Sequence, residues 1–458
     1  GGYIIGGYSK SKQKEIMDGY SINNYGQSDI WVVKLNDRGA PGKAPDVEWA
    51  KNYGGSNDEI ANSIVETANG YALAGYTSSN DQDVINKNRG GNAGTADMIV
   101  ISIDNKGNIQ NLNLLGGSQS EEAYSIIQDK NNDLVVAGYT TSDGGNVLNK
   151  NKGGNNNTQD TWIVKLDQKL NIIWDNTYGG DDNDYAKAII ETQDGGYAVA
   201  ANIIGLVIPD PAGNNFTSSW AQRIIKLKTN GKQEWSQNYL TTAPNWDKAN
   251  SIVQTQDGGY LLAGLAARFD NASGKGDIEY SVTKINGDYT NSSGQLIQGE
   301  KEWERYIGGD GYDEATTIID NQNNTYTIAG YSASTKGNNG LNIADHHGKG
   351  YDYWLVNMGT CFPPAQKSNL NKEDQQIVFS SKSILYPNPA TDGKFFIKLP
   401  EVNAKAVVEV YNTLGSKVFE KQKISNSEQI DLSRQPQGIY LVKIVVNNKV
   451  TTQKLVIE

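Results

Sequence analysis

The stretch NGYALAGYT at residues 69–77 decides how this chain is read, because close copies of it recur along the sequence. They are GGYIIGGYS (1–9), NDLVVAGYT (132–140), GGYAVAANI (195–203), GGYLLAGLA (258–266) and NTYTIAGYS (324–332). The aligned positions Tyr3, Tyr71, Leu134, Tyr197, Tyr260 and Tyr326 step by 68, 63, 63, 63 and 66 residues. A period that regular is the mark of a repeat architecture.

Three more segments recur around each copy. D-x-W-x-V-K-L reads DIWVVKL (29–35), DMIVISI (97–103), DTWIVKL (160–166), AQRIIKL (221–227), EYSVTKI (279–285) and DYWLVNM (352–358). W-x-x-x-Y-G-G begins at Trp49, Trp174, Trp235 and Trp303, and Leu115-Gly116-Gly117 fills its slot in another copy. A-x-S-I-x-x-T lies at Ala61, Ala123, Ala186, Ala249 and Ala315. Each unit therefore holds four short apolar runs separated by Gly, Asn and Asp, which are strand and hairpin signals. Four strands in each of six repeats predict an all-β, six-bladed β-propeller over residues 1–358, with blades of about 63 residues. The unit exceeds a WD40 or kelch blade. The excess sits between its second and third strands, in loops such as 78–96 and 141–159. Copy one lacks its A-x-S-I strand and copy six its W-x-x-x-Y-G-G strand. Upstream strands would complete both and close the last blade, removing the free edges; a seventh upstream blade is the alternative.

Composition agrees. The 458 residues include 50 Gly, about 11% against a usual level of roughly 7%. Tyr (25) and Trp (9) are plentiful, and Met (3), Cys (1) and His (2) scarce. No apolar run approaches the roughly 18 residues of a membrane-spanning helix. Cys361 alone can form no internal disulfide and no Cys-based zinc or iron–sulfur site. The net charge of -11 disfavours nucleic acid, which calls for a basic footprint. The glycines lie between strands, so no phosphate-cradling helix N-terminus follows them. The chain opens at Gly1-Gly2-Tyr3 without Met or signal peptide, and an N-terminal piece is expected to have been removed or left out.

Charge is uneven. Residues 385–458 carry 10 Lys+Arg and 7 Asp+Glu, net +3, which leaves -14 on the remainder. Residues 359–384, with Pro363-Pro364 followed by Gln, Lys, Ser and Asn, have linker composition. After them LYPNP (385–389), KFFIKL (394–399), AVVEVYN (406–412), KVFEKQ (417–422), EQIDL (428–432), GIYLVKIVV (438–446) and KVTTQKLVI (449–457) predict a small Ig-like seven-stranded β-sandwich.

This segment resembles a known family. Tyr386-Pro387-Asn388-Pro389, Val410-Tyr411-Asn412 with Gly415, Leu432 and Pro436 with Gly438 and Tyr440, and the closing Lys454-Leu455-Val456-Ile457-Glu458 are similar to the type A C-terminal sorting domain of type 9 secretion cargo in Bacteroidetes. The resemblance implies a signal peptide, folding in the periplasm and export through an outer-membrane translocon. It also implies recognition by a shuttle protein and a sortase-like protease that cuts within 359–384, releasing the cargo or joining it to surface lipopolysaccharide. Pro387 and Pro389 cannot donate ladder hydrogen bonds and suit a strand entry; Gly415 and Gly438 suit tight turns. The strand 449–457 is expected to offer its edge to a partner. The other reading is that these residues only build the sandwich. The repeats more loosely resemble the Tyr/Gly-rich propellers often attached to such domains.

Other candidates are few. Trp31, Trp162, Trp354 and the Trp of the W-x-x-x-Y-G-G series recur once per unit and are expected to pack between blades. Trp220 and Trp246 fall outside the repeat slots and are the candidates for a ligand-binding surface. Asn57-Asp58-Glu59, Asp181-Asp182-Asn183-Asp184, Asp310-Gly311-Tyr312-Asp313, and Asp81 with Asp83, have the donors calcium takes, yet match no EF-hand spacing; Asp and Asn also hold turns. His346-His347 with Asp345 and Asp352 read as a solvated loop rather than a metal site, and their scarcity leaves little for a Ser–His–Asp centre. The expectation is a secreted or cell-surface protein without a catalytic centre, cofactor or metal, whose propeller binds a surface glycan or protein through its loops. The alternatives are a glycan hydrolase or lyase with carboxylates gathered in a channel, and a structural surface-layer component.

Overall fold

The computed structural model describes residues 2–11, 24–37, 45–84, 95–147, 158–205, 207–209, 215–217, 220–239, 246–270, 275–290, 295–322, 325–334, 350–359, 384–386, 390, 393–398, 406–412, 416–424, 428–446 and 449–457. They fall into two compact units, Gly1–Ala365 and Gln366–Glu458.

Among the described residues the first unit is a succession of six antiparallel sheets of three or four strands, with two small ribbons, Val207–Pro209 with Asn215–Thr217 and Tyr289–Thr290 with Leu296–Ile297. Sheet one joins Tyr3–Ser9, Asp29–Leu35 and Val47–Tyr53. Sheet two takes Glu59–Thr67, Gly70–Thr77, Asp97–Asp104 and Ile109–Leu115, and sheet three Glu121–Gln128, Leu134–Thr140, Asp160–Leu166 and Ile172–Tyr178. Sheet four takes Asn183–Glu191, Tyr197–Ile204, Ala221–Leu227 and Gln233–Tyr239, and sheet five Asp247–Gln254, Tyr260–Asp270, Lys275–Ile285 and Lys301–Ile307. Sheet six holds Asp313–Asp320, Tyr326–Ser332 and Asp352–Met358. The four sequence motifs are these strands in order, A-x-S-I first.

The middle strands are apolar throughout because both their faces are covered. Every residue of Asp160–Leu166 is buried. Ala72, Ala74, Met98 and Val100 of sheet two share one core with Ala123, Val136, Trp162 and Val164 of sheet three. Successive sheets pack in the same way down the series, first strand beside first strand.

The W-x-x-x-Y motif clamps sheets one, three and four each to the next. Trp49 donates its indole N–H to the Asn105 carbonyl at 2.9 Å, and the Tyr53 hydroxyl donates to the Gly107 carbonyl at 2.7 Å. Gly107 has φ +76, and a Cβ there would stand 2.9 Å from the Trp49 ring. The Tyr178 hydroxyl donates to the Gly231 carbonyl with the Trp174 ring against that glycine, and Tyr239 and Trp235 hold Gly299 likewise. Between sheets two and three both halves change together. Asn111 takes the Trp place, and Leu170, buried and at φ 64, takes the Gly place. The amides of Asn111 and Asn113 reach the carbonyls of Gln168 and Leu170.

A carboxylate also recurs at each junction. Glu59 accepts from the Gly55 N–H and the Thr77 hydroxyl, Glu121 from Gly117 and Thr140, and Asp313 from Gly309 and Ser334. Burial raises the acids of Glu59 and Asp313 above their ordinary range. At Asp184 burial outweighs the Arg223 guanidinium 3.0 Å away and lifts the carboxyl to about 6.

Among the described residues the end sheets are incomplete: sheet one has no first strand and sheet six no fourth. Tyr353 and Leu355 of sheet six are 99% and 70% exposed, at the register positions where Ile30 and Val32 of sheet one are wholly buried. Tyr3 and Ile5 of sheet one are 58% and 53% exposed, whereas their counterparts Tyr71 and Leu73 in sheet two are buried. Among the described residues no strand joins sheet six to sheet one.

The second unit holds seven strands. Ile384–Tyr386, Lys394–Lys398 and Glu428–Asp431 form one sheet; Lys417–Ile424, Ala406–Asn412, Gly438–Val446 and Lys449–Ile457, in that order, form the other. Phe395, Ile397 and Ile430 of the first meet Val408, Val410, Val442, Ile444 and Leu455 of the second in one core.

Two outcomes follow from the junctions. Gly231→Ala forces a side chain into positive φ and onto Trp174, and costs at least about 1 kcal/mol of stability. Gly180→Ala, at an ordinary φ with open space around it, stays within about 0.5 kcal/mol; denaturant melts of the two variants read the difference. Asp184 binds its proton more tightly folded than unfolded, so its contribution is full below the unfolded value near 4 and is lost as pH rises through about 6. Stability should therefore rise on acidification from pH 7 to 5, by roughly 1.3 kcal/mol from this group, since only about one pH unit of that window lies below the folded value, at 1.36 kcal/mol per pKa unit. Asp184→Asn should flatten that slope, and a wild-type stability level from pH 7 to 5 contradicts the assignment.

Candidate functional site

The first strands of sheets two to six share an irregularity. The pairing register shifts between Ala61 and Ser63, Ala123 and Ser125, Ala186 and Ala188, Ala249 and Ser251, and Ala315 and Thr317. A bulge of this kind places one extra residue and re-aims its side chain. The extra residue is the variable position of A-x-S-I: Asn62, Tyr124, Lys187, Asn250 and Thr316 in turn. Because the first strands lie side by side, these residues form one row with the residues two positions before them, Ile60, Glu122, Tyr185, Lys248 and Glu314.

The middle of that row encloses a cavity of about 290 Å³. It is lined by Tyr124 and Gln159 of sheet three, by Tyr185, Lys187, Ile204 and Trp220 of sheet four, by Lys248 and Asn250 of sheet five, and by Glu314 of sheet six. The aromatic walls are ordered against one another. Tyr185 meets Trp220 edge to face with centroids 5.7 Å apart, and lies 6.1 Å from Tyr124. The Lys187 ammonium sits 3.6 Å from the Tyr124 ring centroid, and that of Lys248 sits 4.2 Å from the Trp220 centroid. Burial holds the Lys187 amine below its ordinary range, against the pull of Glu122, and Lys248 pushes the same way as burial.

The two acids of the row are already engaged. Glu122 accepts from the Asn62 amide at 3.0 Å and the Tyr124 hydroxyl at 3.0 Å. Glu314 accepts from the Asn250 amide at 2.9 Å, the Tyr312 hydroxyl at 2.6 Å and the Tyr331 hydroxyl. Asn62 and Asn250 also donate to the Ala123 and Ala315 carbonyls of the next sheet. Asn at the bulge thus ties sheets together, while Tyr124 and Lys187 at the same position face the cavity.

The structure separates the two tryptophans singled out from the sequence. They meet only through their backbones, and Trp220 lines the cavity while Trp246 is 50% exposed outside it. The periodic tryptophans pack: Trp49, Trp162 and Trp235 are buried, and Trp174, Trp303 and Trp354 lie against the cores. The acidic clusters hold turns. Asp58 accepts from the Ser28 hydroxyl, Asp81 from the Ser56 N–H, and Asp83 from the Gly54 N–H. Among the described residues no three His, Cys, Asp or Glu side chains converge as metal ligands. His346, His347, Asp345, Cys361 and most of the linker lie outside the described residues.

In the second unit the sorting-motif residues take different places. Tyr386 pairs through its backbone with Phe396. Pro387, Asn388, Pro389, Gly415 and Glu458 lie outside the described residues. Gly438 opens its strand at φ +152 opposite Ile457, and buried Tyr440 donates to the Pro436 carbonyl at 2.6 Å while pairing with Leu455. Leu455 and Ile457 point into the core. Lys449–Ile457, which carries Lys454 and Val456, is an edge strand, met at its end by Ala390, whose N–H donates to the Val456 carbonyl. Ile439 and Leu441, alternating with the buried Tyr440 and Val442, are 44% and 46% exposed and went unnoticed in the sequence although their period of two marks them.

No helix among the described residues is long and apolar enough to cross a membrane. None of the curated proteins compared matches the chain. Among solved structures the chain is similar to Sqt1 from Chaetomium thermophilum, at 10% identity and a TM-score of 0.31, over 99% of this chain and 92% of that one. It is also similar to the extracellular domain of BT4673 from B. thetaiotaomicron in two structures. These stand at 10% and 12% identity and TM-scores of 0.14 and 0.13, over 94% of this chain and 72% and 73% of those. Likeness at these scores carries no weight for fold or activity. Residues 384–458 match the family described as the secretion system C-terminal sorting domain, so the chain ends in a type 9 sorting domain that directs it to the cell surface or the medium.

Proposed function

We propose that the six-sheet unit is the exported cargo, a binding module built as a six-bladed propeller, and that its ligand seat is the cavity walled by Tyr124, Tyr185 and Trp220. The observation that carries the reading is the convergence of three aromatic side chains and two ammonium groups from three successive sheets on one opening. Ligand sites are concave, largely aromatic, and oriented by a few polar groups. A glycan-cleaving enzyme would need two carboxylates facing the opening to act as acid and base. Glu122 and Glu314 are instead engaged by Asn and Tyr donors, which favours binding over cleavage.

The propeller reading rests on the end sheets. Val32 and Leu73 share a core where sheet one meets sheet two. Leu355 and Ile5 hold the same two register positions at the free faces. Sheet six then seats on sheet one as each sheet seats on its predecessor. In the second unit the outer edge of Lys449–Ile457, the last strand of its sheet, is the contact for the secretion machinery, by strand addition, and the buried Tyr440, Leu455 and Ile457 keep that edge in register.

Two measurements test this. With Cys361→Ser as background, Ile5→Cys and Leu355→Cys should form an intramolecular disulfide under mild oxidation; only intermolecular dimers, or free thiols, would overturn ring closure. Deleting residues 385–458 in the native host should trap the six-sheet unit in the periplasm on immunoblots, and unchanged export would show that the tail is not the signal.

A further inference from the structure

We infer that the cavity takes an acidic sugar, a pyranose stacked on the Trp220–Tyr185 wall with its carboxylate between Lys187 and Lys248. The inference rests on the proposal that this cavity is the ligand seat and names what fills it.

Three observations lead to the charge. First, two like charges share a small opening: Lys187 and Lys248 approach it from neighbouring sheets, and each bears on the other. Second, neither ammonium has an ion-pair partner among the described residues; each lies over an aromatic face instead. Cation–π contact leaves the N–H donors of an ammonium pointing outward, unlike a salt bridge, which uses them. Third, the nearby acids are engaged by other donors, Glu122 by Asn62 and Tyr124, Glu314 by Asn250, Tyr312 and Tyr331; both act on Lys187 through space, but neither forms an ion pair with it. Three buried lysines elsewhere in the unit are paired with carboxylates, while Lys34 donates to the Leu35 carbonyl. Lys165 lies 2.7 Å from Asp129, Lys226 2.7 Å from Asp194, and Lys284 2.9 Å from Asp257. Lys187 and Lys248, half-buried in the row, have no such carboxylate partner among the described residues. An anion entering between Lys187 and Lys248 relieves their repulsion and gains charge-assisted hydrogen bonds.

The walls lead to the ring. A cavity of about 290 Å³ is at the small end of ligand sites, of a size for one sugar unit rather than a chain. The aromatic faces match the apolar face of a pyranose. The Gln159 amide and the Asn250 carbonyl oxygen, whose own N–H groups are spent on Glu314 and Ala315, are the polar groups for hydroxyls. A bare inorganic anion would leave the Tyr185 and Trp220 rings without a role.

The test is calorimetric titration of the full chain at low salt with trigalacturonic acid, galactotriose and poly-L-glutamate. It is repeated for Lys187→Met, Lys248→Met and Trp220→Ala, each first checked by thermal melting. The Met variants keep an apolar stem over the aromatic ring, so the packing there survives. Trigalacturonic acid should bind, each Lys variant should weaken it at least about tenfold, and galactotriose should bind at least about tenfold more weakly than the acid. Equal binding of the two sugars, lost in Trp220→Ala but kept in both Lys variants, overturns the acidic class while leaving the cavity as the seat. Binding of the acid that none of the three variants weakens overturns the seat itself. Poly-L-glutamate binding as tightly as the sugar acid, and Lys-dependent, reassigns the cavity to an acidic polypeptide and overturns the sugar. No binding of either sugar at millimolar concentration overturns the inference outright.

Discussion

A sheet covered on both faces is the constraint on which the six-sheet unit depends. The middle strands carry apolar residues at nearly every position, so each sheet is stable only between two neighbours. That condition fixes the order of the sheets along the chain, since each one seats on the sheet just made. It also leaves a debt at the two ends. Tyr353 and Leu355 face outward where Ile30 and Val32 are buried, and covering two such side chains is worth about 1.5–3 kcal/mol each. In the proposed ring the exposed faces of sheets one and six are the halves of one more interface of the kind already built five times.

The clamp and the bulge divide the work within each junction. Near the fourth strand, Trp and Tyr hold a glycine turn of the next sheet, and the requirement for positive φ and a missing Cβ makes that contact intolerant of change. The junction of sheets two and three keeps it by exchanging Trp for Asn111 and Gly for Leu170 together. At the first strand the bulge frees one side chain per sheet from packing. Asn62 and Asn250 spend that freedom on bridging to the next sheet, whereas Tyr124 and Lys187 spend it on the cavity.

Much of this was legible in the residues. The period of the repeat placed the strands, the W-x-x-x-Y spacing announced a packing device, and the tail was readable from its ordered motifs. The cavity was not. Trp220 stood out because it breaks the repeat, but Tyr124, Lys187 and Lys248 sit inside a motif and look like ordinary strand residues. What distinguishes them is three-dimensional: a bulge turns the x of A-x-S-I out of the alternation, and four sheets bring residues up to 190 positions apart to one place. The signal available was that x is the one position of A-x-S that changes chemical class from copy to copy. Ala is kept before it, and Ser, Ala or Thr follows it.

That contrast explains how a repeat can carry a single site. Each unit must keep the apolar residues that seat it on its neighbours, so variation gathers at positions outside those cores. The bulge residue and the residue two before it are such positions. Five copies therefore present ten independently adjustable side chains on a frame whose spacing is fixed by packing. The cavity lies where the changes at sheets three, four and five coincide: a Tyr, a Tyr–Lys pair and a Lys, flanked by two glutamates tied back by Asn and Tyr. Rigidity and specificity then have separate sources, the clamps for the first and the bulges for the second, and a change in what the cavity accepts need not disturb how the sheets stack.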